Sequence, residues 1–282
     1  MKKILFPVFL FFISFQVIPY ETGFSTQFGN FGLSEYDSSS TTYIPYFQWG
    51  SNLYYFDQAE DNDNLQYGFI LDRNAIKGYS LSSELRFIQP YYSIAFGPVF
   101  GLINESVSLI KPGFSGRLSG EIPGRGFLEI GGDMIPAQFA GAKNDYSTYT
   151  GYYTFGFYLK QDHILCYFTQ KLDNYSHLSG TDPYTDSLLS YNFYADFYEK
   201  GSIFKVKTKM GYEIINRTFS DSSTIEIKNI LFGIQTDFYI NSSATVFLGL
   251  DNKIYPSSYG SIELNDVPTY LITVISGFKW NP

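Results

Sequence analysis

Three lysines in the second half of the chain have a spacing that could act on charged solutes. Lys205, Lys207 and Lys209 alternate with uncharged residues. Side chains of a strand alternate between two faces, so this period of two places the three ammonium groups on one face, about 7 Å apart. We call this row the lysine ladder. It could attract anions or balance carboxylates such as Asp196 and Asp237 on the flanking predicted strands, and both interpretations remain open.

Residues that could catalyse a reaction or hold a metal are scarce. The chain has two histidines, His163 at a predicted turn and His177 in a predicted loop at 175–186 that is rich in serine and aspartate. A hydrolase needs a histidine oriented beside a nucleophile, so His177 is the one candidate. The acidic run at 57–63 lacks the spacing and glycine of a calcium loop and is typical of a solvated turn, which we predict at 57–64. We therefore predict no enzyme activity, no metal and no cofactor.

The composition favours strands and excludes several classes of protein. Of the 282 residues, 20% are aromatic and 16% charged, against about 25% charged in ordinary soluble domains. Tyrosine and phenylalanine favour strands and membrane interfaces. After residue 20 there is no apolar run of about 18 residues, so no spanning helix is predicted. The net charge of −8 argues against nucleic acid as a partner.

The elements that position the charges are strands with two distinct faces. In the segment 189–197, for example, Leu189, Phe193 and Phe197 share one face, whereas Asn192 and Asp196 share the other. Clusters of turn residues recur about every forty residues and alternate with longer loops; they lie at 123–126, 160–163, 199–202 and 241–243. This pattern predicts about fourteen strands, with twelve or sixteen as alternatives. A soluble β-sandwich also alternates, but rarely through so many long strands without disulfides.

The last strand carries a resemblance to a known class. In the segment 267–280 every second residue is mostly apolar and large, from Tyr270 through Ile272, Val274 and Phe278 to Trp280. This stretch resembles the C-terminal strand of bacterial outer-membrane β-barrels, which ends in an aromatic residue and is read by the barrel assembly machinery. The resemblance implies an all-β, transmembrane antiparallel β-barrel in the bacterial outer membrane. Its implied partners are the lipid bilayer and the assembly machinery.

The N-terminus is typical of an exported protein. Lys2 and Lys3 precede an almost unbroken apolar run that ends near Ile18. We predict a signal peptide at 1–20 and a barrel at 21–282. The chain has one cysteine, Cys166, so no intrachain disulfide is possible.

The function follows from what the inner face of such a barrel carries. A lysine or arginine on the lipid side costs about 2–4 kcal/mol near the midplane, so charged residues are expected to face the lumen. The predicted lumen-lining residues are Lys205, Lys207, Lys209, Asp196, Asp237, Arg117, Glu121, Glu84 and Arg86. We predict a passive, porin-like channel for small solutes. The alternative is a non-transporting barrel with a structural or adhesin-like, surface-binding role.

Overall fold

The structure is a computed structural model that describes residues 21–37, 42–74, 78–103, 109–135, 148–161, 163–177, 184–199, 201–219, 222–254, 258–259, 262–263 and 270–281. Fourteen strands of this described part close into one antiparallel barrel. The predicted signal peptide lies outside the described residues. Within the described ranges, no helix is long and apolar enough to cross a membrane.

The barrel strands follow one another around the wall in chain order. They are β1 (Glu21–Asp37), β2 (Thr42–Ala59), β3 (Asn62–Asn74), β4 (Gly78–Ile88), β5 (Tyr92–Ile103), β6 (Leu109–Ile122), β7 (Gly126–Ile135), β8 (Thr148–Lys160), β9 (Ile164–His177), β10 (Tyr184–Tyr198), β11 (Phe204–Phe219), β12 (Thr224–Tyr239), β13 (Ala244–Ile254) and β16 (Tyr270–Trp280). Two short strands, β14 (Ser258–Tyr259) and β15 (Ile262–Glu263), pair with each other outside the barrel sheet.

Closure depends on the last strand. β16 pairs with β13 on one side and with β1 on the other, in a register that runs from Thr22 opposite Trp280 to Gly29 opposite Thr273. Joining the first strand to the last removes the open edges on which sheets otherwise aggregate. The prediction of an antiparallel transmembrane-type barrel is confirmed, and fourteen is the strand number rather than twelve or sixteen.

Six hairpin connections lie at one end of the barrel, which we call the tight-turn end. Four of them coincide with the predicted turns at 123–126, 160–163, 199–202 and 241–243, and the other two join β2 to β3 and β4 to β5. Gly124 and Gly201 have φ values of 67° and 81°, which glycine adopts without a steric penalty. Asn241 closes the last of these turns, because its Oδ1 accepts hydrogen bonds from the backbone N–H groups of Ser243 and Ala244. The opposite end is the loop end.

Two predicted connections were too long. Most of the predicted turn at 57–64 is strand, since β2 ends at Ala59 and β3 begins at Asn62. The predicted loop at 175–186 was also wrong at both sides, and His177 is the last residue of β9 rather than part of a loop. Polar residues at the strand ends suggest a loop in the sequence, but the backbone ladder continues through them.

The outer face is apolar, as the alternation predicts. Phe193 and Phe197 are each 44% exposed, whereas Asn192 and Asp196 on the other face of β10 are buried. In β16, Ile272 and Phe278 are also exposed on the outer side. A closed barrel with such an outer surface is suited to contact with lipid chains.

Cys166 lies on this outer face but is not accessible. It pairs across strands with Phe157 and Ala195, and all three share one face. Only 4% of its surface is exposed, and its thiol is free. A small residue among larger aromatic neighbours is covered by them.

Candidate solute pathway in the barrel lumen

The inner face of the barrel is polar and crowded on the β10–β13 side. In β11 the lysine ladder shares a face with Glu213 and Arg217, which are each 4% exposed, while Met210 on the opposite face is 57% exposed. The ladder therefore lies on the inner face. The same alternation places Asp196 of β10 and Asp237 of β12 on that face.

Each lysine of the ladder is paired with a different carboxylate. Lys205 Nζ lies 3.0 Å from Asp196 Oδ2, and Lys207 Nζ lies 3.8 Å from Asp237 Oδ2. Lys209 Nζ lies 3.0 Å from Asp251 Oδ2, which belongs to β13, two strands away. These contacts favour charge balance over a free electropositive track, because every ammonium group has a carboxylate neighbour.

Glycine makes room for the longest of these contacts. Gly233 of β12 lies directly between Lys209 and Asp251 in the cross-strand register. A Cβ built on Gly233 would collide with Asp251 Oδ1 and would lie 3.3 Å from Lys209 Cβ. The lysine can therefore reach over this strand only because the intervening residue has no side chain.

A second network continues the packed region towards the loop end. Glu213 Oε1 accepts hydrogen bonds from Lys253 Nζ at 2.9 Å and from Asn229 Nδ2 at 2.8 Å. Asn192, Asp196 and Asn229 each have a side-chain oxygen that is covered by neighbouring atoms and has no hydrogen-bond partner among the described residues. Polar atoms covered in this way indicate that side chains fill this half of the lumen.

A third group lies near the loop end and was not foreseen from the sequence. Arg217 donates from Nε and from Nη2 to the two carboxylate oxygens of Asp186, each at 2.8 Å. Tyr175 Oη donates to Asp186 Oδ2 at 3.1 Å. The side chains of Arg217 and Asp186 are 5% and 1% exposed, so the pair is buried. A spacing rule within one strand could not find it, because its members come from β9, β10 and β11.

Three of the four predicted charges of the first half, namely Glu84, Arg86 and Arg117, form one cluster around Glu84. Its Oε1 lies 2.6 Å from Arg86 Nε and 2.9 Å from Arg117 Nη2. Arg86 also reaches Glu21 Oε2 at 3.1 Å, and its guanidinium lies 3.3 Å from the centre of the Phe56 ring. Two acidic and two basic side chains are thus joined in one chain of contacts.

Glu121 is placed apart from this cluster. It belongs to the same face of β6 as Arg117, lies opposite Phe127 of β7, and is exposed near the tight-turn end. The structure therefore brings Glu84, Arg86 and Arg117 together, whereas Glu121 lies four residues further along β6, towards the tight-turn end.

An open cavity of about 320 Å³ lies beside the Glu84 cluster, on the β2–β9 side. Its inner lining includes the hydroxyl groups of Ser80, Ser82, Ser115, Thr148, Thr150 and Tyr152. Its charged lining residues are three acids and three bases, so their formal charges cancel: Asp72, Glu84, Asp133, Lys111, Arg117 and Lys171. It begins near Asn74 and Gly78 at the loop end.

Aromatic side chains on this side are held against the wall by glycines. A Cβ on Gly131 would lie 2.8 Å from Tyr152 Oη, so the tyrosine ring folds over the glycine of the neighbouring strand. Tyr152 Oη donates to Glu129 Oε1 at 2.7 Å, which fixes the ring in that position. The bulk of the ring is thereby kept close to the barrel wall.

The candidates for a metal site or a catalytic site do not gain support. The acidic run at 57–63 covers the end of β2, a two-residue turn and the start of β3, and Gln58 Nε2 donates to the Asp63 backbone oxygen at 2.9 Å. Within the described ranges no group of three or more His, Cys, Asp and Glu residues could hold a metal ion. His163 lies in the turn between β8 and β9.

The fold and the apolar outer surface define a membrane-spanning antiparallel β-barrel. The chain resembles an outer membrane channel of Pseudomonas putida F1 at a TM-score of 0.55 and 8% identity, covering 94% of this chain and 96% of that one. It also resembles a bacterial polysaccharide outer membrane secretin at a TM-score of 0.51 and 8% identity, covering 95% and 100%. No protein-family model and no curated protein sequence matches the chain. At this identity the likeness concerns the fold.

Proposed function

We propose that this protein is a passive channel for small polar solutes in the bacterial outer membrane. The observation that carries the proposal is the hydroxyl-lined cavity of about 320 Å³ inside a closed barrel. A cavity of this kind, combined with an apolar outer face, separates a wet interior from lipid. The P. putida protein with a similar fold is itself a channel by its description.

The inner charges are proposed to line this lumen in two groups. The solute path is lined by Glu84, Arg86, Arg117 and Glu121. In the packed half, the lysine ladder balances the charges of Asp196 and Asp237. Short hairpins of outer-membrane barrels face the periplasm, so the tight-turn end is assigned to that side.

The route to the membrane is part of the same proposal. Residues 1–20 act as a secretory signal, and β16 is the strand that the barrel assembly machinery recognises. The observation that supports a special role for β16 is its pairing with the first strand, β1, which closes the barrel.

The experiment that tests the proposal is single-channel recording of the refolded protein in a planar lipid bilayer. Refolding is verified first by the shift in electrophoretic mobility between heated and unheated samples. We expect discrete, reproducible conductance steps. A folded barrel without any such steps would refute the channel and favour a structural or surface-binding barrel.

A further inference from the structure

We propose that the solute path is eccentric, so that it lies to one side of the barrel lumen. It follows the β4–β8 wall past Arg117 and admits small hydroxyl-bearing solutes without net charge. The inner side chains of β10–β13 close the other half of the lumen, which we call the strut. This inference rests on the channel proposed above and adds its route and its solute class. The two halves differ in the size of their inner side chains, in how their charges are used and in how far those charges are exposed.

Exposure distinguishes the two halves within one cross-strand row. Ser190 of β10 pairs with Lys171 of β9, which pairs with Tyr152 of β8, and the row continues through Gly131 to Arg117. Along this row the exposure falls from 42% for the side chain of Lys171 to 5% for Ser190. Ser190 is therefore covered by its neighbours, whereas the side chain of Lys171 remains exposed to the lumen.

The inner side chains above and below Arg117 are small. Towards the loop end Ser115 precedes it on the same face, and towards the tight-turn end Ser119 follows, with its Oγ 2.6 Å from Ser93 Oγ. Glu121 then lies exposed near that end. A chain of small hydroxyl groups thus runs from the cavity past Arg117 towards the opposite opening of the barrel.

The charges of the two halves are used differently. In both halves the carboxylates are covered, with side-chain exposures of 5% and 6% for Asp196 and Asp237 in the strut and 9% and 10% for Glu84 and Asp173 on the path. The cations differ, since the lysines of the ladder are 20–24% exposed, whereas Arg117 and Lys171 on the path are 32% and 42% exposed. Carboxylates lie close to both groups. A solute therefore meets donors and acceptors in hydrogen-bonding positions without a strong net field, which suits a neutral polyhydroxyl compound better than an ion.

Thiol labelling tests the route with a matched series of serine substitutions. Ser82→Cys and Ser115→Cys lie on the proposed path, and Ser190→Cys lies in the strut; all three are made in a Cys166→Ala background. A water-soluble, bulky methanethiosulfonate reagent is applied to the refolded protein. We expect fast modification of the two path cysteines, loss of most of the unitary conductance after it, and no modification of the strut cysteine. Should Ser190→Cys fail to fold, Asn192→Cys replaces it, because Asn192 is also buried on the inner face.

The outcomes separate the route from the channel itself. Equal reactivity of all three cysteines, or no reactivity on the path, would overturn the eccentric route whether or not the protein conducts. Conductance that is blocked only by modification of the strut would overturn it as well. If the path cysteines react and wild-type protein gives no conductance, the proposed channel fails but the water-filled route remains.

Liposome swelling tests the solute class. A sugar alcohol and a sugar carboxylate with the same number of carbon atoms are compared in vesicles that contain the refolded protein. We expect faster entry of the neutral compound. Entry of the carboxylate, or of a matched amino sugar, at an equal or higher rate would overturn the assignment to uncharged solutes.

Discussion

The buried pair of Arg217 and Asp186 offers a sharp test of how dry the packed half of the lumen is. The substitution Asp186→Asn keeps the shape of the side chain and removes its charge. The change removes the negative charge to which the guanidinium of Arg217, at 5% exposure, donates two hydrogen bonds, and it weakens the hydrogen bond from Tyr175. Removal of one partner from a buried ion pair costs about 3–5 kcal/mol. At about 1.4 kcal/mol for each factor of ten, the folding equilibrium constant should fall by roughly two to three and a half orders of magnitude.

The measurement is urea unfolding of the barrel in phospholipid vesicles, followed by tryptophan fluorescence. The midpoint should fall while the dependence on urea stays unchanged, because the surface exposed on unfolding is the same. The matched control is Glu226→Gln, which breaks the ion pair with Lys228. That pair has a similar distance, 2.7 Å, but both side chains are 50% exposed, so we expect little change.

A double substitution distinguishes the cost of a buried, unbalanced charge from the loss of the ion pair itself. In Asp186→Leu combined with Arg217→Met, the pair is replaced by apolar side chains, and most of the lost stability should return. If Asp186→Asn and Glu226→Gln cost equally little, or if the double variant is no better than Asp186→Asn, water reaches this pair and the packed half is wetter than its burial indicates.

Three further results are expected. Replacing all lysines of the lysine ladder with glutamate should lower the temperature at which the folded band disappears in electrophoresis, because like charges then face each other; an unchanged temperature would contradict the charge-balancing role. Gly131→Ala should lower the unitary conductance, because the added Cβ pushes the ring of Tyr152 away from the barrel wall. Gly151→Ala, which has open space around its Cβ, should leave the conductance unchanged. Equal effects of the two substitutions would contradict the position of the Tyr152 ring against the wall. Deleting 270–282 should abolish heat-resistant folded barrel in detergent, and a truncated chain that still folds would show that β16 is dispensable for closure.

The neutralisation of single lysines gives a last comparison between the halves. Lys171→Gln removes a charge from the cavity wall, and Lys207→Gln removes one from the ladder. At low salt, where screening is weak, the reversal potential should move further for Lys171→Gln, because its side chain is 42% exposed and that of Lys207 is 24% exposed. A larger shift for Lys207→Gln would place the ion path along the ladder.

Much of the fold follows from local patterns. Alternation with a period of two is visible within each strand, so the outward position of Phe193 and the inward position of Asp196 could be predicted without knowing the neighbours. The tight turns could be predicted for the same reason, since residues such as Gly124, Gly201 and Asn241 are required by the turn itself. Strand ends were harder, as His177 shows, because polar residues occur both in loops and in strands that extend beyond the apolar surface.

The contacts between strands were decided by tertiary structure. Period two shows that Lys209 shares a face with its ladder neighbours, but its partner Asp251 lies two strands away and is reached over Gly233. The strand number was also undetermined until β16 paired with β1, because closure depends on a register between residues about 250 positions apart in the chain. Which half of the lumen is open depends on how side chains from many strands fill one shared space. No single strand carries that information, and so the cavity beside Arg117 appears only when the barrel is closed.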